Sequence, residues 1–182
     1  MEGRSCIQRA GFAISAIMIC LALMCGATLT PPTPSVETRA KPGQALAIVV
    51  NHANPVDSLS FGELRKVFLG ERNHWPNGRR VALAMLDYGQ PERQTVLRLI
   101  YRMDENGYQD HLLRGMFRGS VFVAPKTLSS PEILRKFVFN APGGIGYLRA
   151  SDVDSSVKVL RIDGLLPEDK NYRLQIDEPS PK

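Results

Sequence analysis

The chain has 182 residues, 43% hydrophobic and 23% charged, which suits one globular domain and excludes a disordered tail or a collagen-like repeat. Its formal charge of +5 suits an anionic partner, but the 23 Lys and Arg are dispersed, which argues against a nucleic-acid-binding arm. Cys6, Cys20 and Cys25 are the only cysteines, so a disulfide framework, a thiolate zinc site and a catalytic thiol are excluded beyond Gly26.

Arg4 and Arg9 precede an uncharged apolar stretch, 10–27, that closes on the small residues Gly26 and Ala27. That order predicts a secretory signal peptide over 1–27, cut after Ala27. The stretch is short for a membrane span of about 20 residues. An uncleaved anchor and a lipid on Cys25 are the other two readings, and Met24 argues against the lipid because that signal needs a small residue there. Cleavage leaves 155 residues carrying +4, acting in the periplasm.

Pro31, Pro32, Pro34 and Pro42 lie among Thr, Ser and Lys, so 28–44 is expected to be an extended tether. Residues 167–182 are polar again, with Pro179 and Pro181, and are read as a tail; this leaves 45–166 as the compact domain. Continuous apolar runs at 46–50 and 81–86 predict strands covered on both faces. Further strands are expected at 145–148 and at 157–162, the last interrupted by Lys158 and Arg161 as an edge strand is.

The helices have readable starts. Ser60 and Glu63 have capping-box spacing, Leu59 and Leu64 the matching hydrophobic staple, and Gly70 can take the left-handed stop after a helix over 61–69. Pro91 suits a first helical position, with Val96, Ile100 and Met103 on one face. Tyr108, Leu112 and Met116 mark a third helix with Gly119 beyond it, and Ser130 and Pro131 open a fourth that stops near Asn140 and Pro142. Ala141, Pro142, Gly143 and Gly144 fit a type II turn. Strands alternating with helices in this way define an α/β protein.

In chain order, Ile48, Val49, Val50, Asn51, Asn54, Pro55 and Val56 are followed by Leu59, Leu64, Val67, Phe68, Leu69 and Gly70. Trp75, Pro76, Asn77 and Gly78 come next, then Pro142, Gly143, Gly144, Ile145, Gly146 and Tyr147. This series resembles the phosphate-binding-protein-like domains related to the periplasmic receptor of the phosphate ABC transporter. The resemblance covers about 47–162. It implies a single lobe of the type 2 periplasmic-binding-protein-like fold, a mixed sheet flanked by helices. It also implies a tetrahedral oxyanion held at helix N-termini, phosphate or a relative, with a membrane permease as partner.

Unpaired N–H groups and the positive end of a helix dipole attract an anion without a counter-charge. The matching helix start holds Gly89, Gln90, Arg93 and Thr95, and the start of the fourth helix adds Ser129 and Ser130; these six are the candidate ligand-binding residues. The family's serine-glycine-threonine pattern is absent. Pro91 removes one donor, and Glu92 brings a carboxylate that would repel a bound anion by about 1 kcal/mol per charge pair in water. The bland readings are ordinary helix-start residues for Pro91 and Glu92, a solvated face for Arg93, and an N-cap for Ser130.

Trp75 beside Pro76 is read as packing. His52, His74 and His111 lack metal-ligand spacing, and Asp104 and Glu105 read as a solvated loop. No nucleophile elbow, phosphate loop or dinucleotide fingerprint occurs, so no catalytic residue, metal or cofactor is expected. A lone lobe of this length closes around a ligand only as a homodimer or with another subunit. The competing reading is a ligand-free interaction or sensor module of the cell envelope that keeps the receptor fold.

Overall fold

The unbroken apolar run at the start of the domain forms β1 (Leu46–Val50), all five residues of which are buried. The computed structural model describes residues 44–119 and 124–176, all within the unit Glu37–Lys182. The predicted signal peptide and the tether up to residue 43 lie outside the described residues.

β5 (Gly144–Arg149) runs antiparallel to β1, with Ile48 opposite Tyr147. On its other side β5 is parallel to β3 (Ala82–Leu86), and β3 is parallel to β4 (Lys126–Leu128). β6 (Lys158–Val159) flanks the far edge of β1 antiparallel, giving a five-stranded mixed sheet in the order β4-β3-β5-β1-β6. β2 (Ser58–Leu59) and β7 (Arg161–Ile162) form a separate parallel pair. The expected strand at 157–162 is therefore two short strands in two sheets. Leu160, fully buried between them, donates its N–H to Ile48 O at 2.9 Å before the chain turns to β2.

α1 (Phe61–Phe68) begins with the complete Ser60–Glu63 capping box, and Gly70 beyond it has φ +79°. α2 (Pro91–Val96) passes into a π turn, Leu97–Tyr101, that ends on Arg102. The wider π turn brings Leu97, Ile100 and Tyr101 into the core together, where a plain α-helix was expected to continue. α3 (Glu105–Phe117) buries Tyr108 and Gly115, while Met116 of the expected apolar face is exposed. α4 (Pro131–Asn140) starts on the Ser130 N-cap and packs Leu134 and Val138 inward.

The turn at 141–144 closes with a Gly144 N–H bond to Ala141 O at 2.7 Å, but neither Gly143 nor Gly144 has positive φ, so it is not type II. Glycine is needed at 143 for space instead: a Cβ there would lie 2.0 Å from the Arg80 carbonyl oxygen. Gly78 is left-handed as expected, at φ +78°. Trp75 is buried and donates its indole N–H to Gly143 O at 3.0 Å, a packing role.

The compact domain does not stop at Leu166. Tyr172, Leu174 and Ile176 are buried, Leu46 N–H donates to Leu174 O at 2.8 Å, and the Tyr172 hydroxyl donates to Leu46 O at 2.9 Å. The polar composition of 167–182 hid this alternation of inward residues, which extends the edge of β1.

Candidate functional site

β3 and β4 are adjacent and parallel, and Asp87 N–H continues their pairing by donating to Leu128 O at 2.9 Å. Both strands therefore release the chain at one edge of the sheet. β3 runs through Tyr88, Gly89 and Gln90 into α2, and β4 through Ser129 and Ser130 into α4. Two helix starts at the carboxyl ends of neighbouring parallel strands form the place where open α/β sheets hold ligands.

Gly89 is exposed at φ +81°, a conformation that lets the chain turn from strand to helix. Gln90 is the N-cap of α2, half-buried, and makes no side-chain capping bond. Ser129 is exposed. Ser130 accepts the Ile133 N–H at 3.3 Å, the N-cap role read from the sequence. Beside the first loop, Tyr88, Gly89, Gln94, Leu97 and Glu105 line part of a shallow concavity of about 730 Å³.

The other two candidates point elsewhere. Thr95 is buried and its hydroxyl donates to Pro91 O at 2.9 Å, within its own helix. Arg93 is 2% exposed and is no solvated-face residue. Its Nε and Nη2 donate to the two Glu105 oxygens at 3.0 and 2.6 Å, and Nη1 donates to Leu86 O at 2.8 Å. The guanidinium carbon also lies 4.8 Å from the Tyr88 ring centroid and 5.2 Å from that of Tyr108. Burial works against the charge, but the Glu105 hydrogen bonds and charge outweigh it and raise the Arg93 pKa. In turn, the Arg93 hydrogen bond holds the Glu105 carboxyl below its ordinary range despite partial desolvation. Burial pushes the Tyr108 hydroxyl up to about 12, so it stays a neutral donor, and it lies 3.1 Å from the Met85 sulfur.

Glu92 is not an ordinary exposed helix-start residue. Its carboxylate is buried and accepts a bond from Arg149 Nε at the end of β5, while its Oε2 has no hydrogen-bond partner. A negative group thus already stands in the first turn of α2, its charge opposed by Arg149.

Sequence reasoning missed Glu105, Tyr108 and Arg149. Asp104 and Glu105 do not form a solvated loop: Asp104 caps α3 by accepting the Gly107 N–H at 2.8 Å, and Glu105 is the partner of Arg93. The Asx-cap spacing of Asp104 and Gly107 was the available signal for the helix start; nothing local linked Glu105 to a residue twelve positions earlier. Asn51 and Asn54 turn out to organise backbone. Asn51 Nδ2 donates to Val138 O at 3.0 Å and Phe139 O at 2.5 Å, and Asn54 Oδ1 accepts the Val56 N–H at 3.0 Å. Among the described residues, no group of three or more His, Cys, Asp or Glu is placed to hold a metal ion.

Together these elements form one α/β lobe, a mixed sheet flanked by helices, whose fold matches that of solved phosphate-transport receptors. The phosphate-binding protein PstS of Bacillus subtilis (strain 168) is 29% identical over 127 residues, which cover 69% of this chain and 38% of that protein. An ABC-type phosphate transport receptor from Vibrio cholerae superposes with a TM-score of 0.55 at 22% identity, over 68% of this chain and 48% of the receptor. PstS from Borrelia burgdorferi gives 0.53 at 13% identity, over 68% and 49%. The chain thus spans less than half the length of each of these relatives. No family model matches it.

Proposed function

We propose that this chain is an exported, receptor-like component for phosphate or a related oxyanion, serving a membrane permease rather than carrying out catalysis. The observation that carries the reading is the similarity to PstS over 127 residues, joined to two helix starts at one sheet edge. The anion would meet the backbone N–H groups of both starts, the Gln90 carboxamide and the hydroxyls of Ser129 and Ser130. Arg93 and Thr95 support the wall from behind. A second copy or another subunit would supply the opposite wall of the cleft, and 1–27 would direct export.

Calorimetry and thermal melting of the full chain with phosphate, sulfate and molybdate test this. Ligand at 100 times its Kd adds about 2.7 kcal/mol, a rise of about 5 to 11 °C for a domain of this size. No shift at millimolar concentrations of any of the three would refute the reading. Trp75 emission is a poor reporter, because the indole is tied to Gly143 beside the opposite, N-terminal end of β5.

A specific observation favours a second reading, a ligand-free envelope module. Glu92 already occupies the first turn of α2, and Arg93 has no donor directed to solvent at that edge. That reading expects unchanged melting with every anion and a stable protein partner.

A further inference from the structure

The helix α3 is apolar on two sides. Tyr108 and Gly115 are buried against the rest of the lobe and Leu112 is half-buried, and this is the face that holds the helix in place. Leu113, Met116 and Phe117 are nevertheless 56%, 56% and 84% exposed. Their spacing, i, i+3 and i+4, sets them beside one another in a single stripe on the helix surface. Apolar residues scattered singly over a surface need no explanation, as with Ile133 and Phe139, which lie well apart around α4. Three large side chains gathered at one helix end do need one.

Charge divides the same helix along its length. Its carboxylates, Asp104, Glu105 and Asp110, lie in the first half, and Arg114 and the C-cap Arg118 lie in the second. Glu105 is taken by Arg93. Asp110 lies 3.3 Å from Arg114, in an ion pair whose two side chains are both more than half exposed, so the contact is weak and Arg114 keeps donors at the surface. Arg118 is exposed beyond it. The run 113–118 thus joins three exposed apolar side chains to two arginines and holds no carboxylate.

We propose that this end of α3 docks on the surface of an anionic phospholipid bilayer. Leu113, Met116 and Phe117 enter the boundary between headgroups and acyl chains, and Arg114 and Arg118 lie beside the headgroup phosphates. Amphipathic helices hold to membranes in this way, through a few apolar side chains flanked by basic ones. A second copy of the chain is the competing occupant, and the size of the stripe disfavours it. A stable protein interface buries about 800 Å² per partner, more than three side chains supply. Phe117 lies twelve residues, about 18 Å along the helix, from Glu105. Docking therefore falls away from the helix-start concavity, and neither site depends on the other.

Phe117→Trp in the full chain places an indole in the stripe, at an exposed position where the melting temperature is expected to stay unchanged. Trp75 is buried and tied to Gly143, so the difference in emission between this variant and the native chain reports position 117 alone. A membrane attachment made through 10–27 does not imitate that signal, because it leaves the added indole in water. Phosphatidylcholine vesicles containing phosphatidylglycerol are expected to shift the difference emission to the blue, and phosphatidylcholine alone to shift it far less. Adding Leu113→Ser and Met116→Ser is expected to raise the lipid concentration at half-shift about tenfold. The proposal is overturned by the absence of a shift with either vesicle, whether or not the chain sediments with the lipid, or by a half-shift that the two serines leave unchanged. Equal shifts on both vesicle types overturn the anionic assignment. An emission already blue before lipid is added, and unmoved by it, also overturns the proposal: a dimer in sedimentation velocity then assigns the stripe to a second copy, and a monomer assigns it to another segment of this chain.

Discussion

Arg93 is a permanent charge placed almost wholly out of water, and its surroundings answer that cost with two carboxylate bonds, one carbonyl bond and two ring faces. Arg93→Ala would leave the Leu86 carbonyl unpaired and Glu105 without its partner, and is expected to cost about 3 kcal/mol in a denaturant titration. The same pair sets part of the acid sensitivity. Glu105 binds its proton more weakly in the folded state than when unfolded, so unfolding takes up a proton and acid favours it. The stabilisation is complete well above the ordinary carboxyl value of 4.5 and is lost as the pH falls through and below it. Glu105→Gln is expected to lower stability at neutral pH and to flatten this part of the acid limb. An unchanged slope in urea midpoints measured towards acid would show that other carboxyls govern it.

Among the elements, the turn into β5 and the strand itself use glycine for different reasons. At Gly143 a Cβ would strike the Arg80 carbonyl oxygen at 2.0 Å, and backbone cannot yield cheaply; at Gly146 it would meet Leu134 Cδ2 at 2.7 Å, the end of a side chain that can rotate. Gly143→Ala is therefore expected to cost more than about 3 kcal/mol and Gly146→Ala about 1 to 2, an order that thermal melting would check. What the sequence revealed and concealed follows the same division between local and distant causes. The starts of α1 and α4 were legible because Ser60, Glu63, Ser130 and Pro131 act within one helical turn. β2 and β4 went unseen because two or three residues become strands only through the distant partners β7 and β3. The π turn was hidden because Leu97 and Tyr101 suit an α-helix equally well, and only the core decides which faces in. At the candidate site, Ser130 was readable as a cap. The burial of Glu92 and Arg93 was not, since Arg149 and Glu105 reach them from other elements.

For the molecule as a whole, the segment 172–176 belongs to the sheet edge. Tyr172, Leu174 and Ile176 each bury a large apolar side chain, worth about 1.5 to 3 kcal/mol apiece. A chain ending at residue 166 loses a sum comparable to the total stability of an ordinary domain and is expected to be unfolded by circular dichroism, while one ending at 176 retains its cooperative melt. The antiparallel partnership of β1 and β5, in which Leu46 faces Arg149, has a consequence in time. The most deeply buried strand leaves the ribosome about a hundred residues before the strand that pairs with it, and its other edge waits longer still for Leu174. Long-range pairing of this kind is slow to form, so β1 stays an unpaired apolar ribbon through nearly the whole of synthesis, and anything that holds extended apolar chain has that interval in which to engage it.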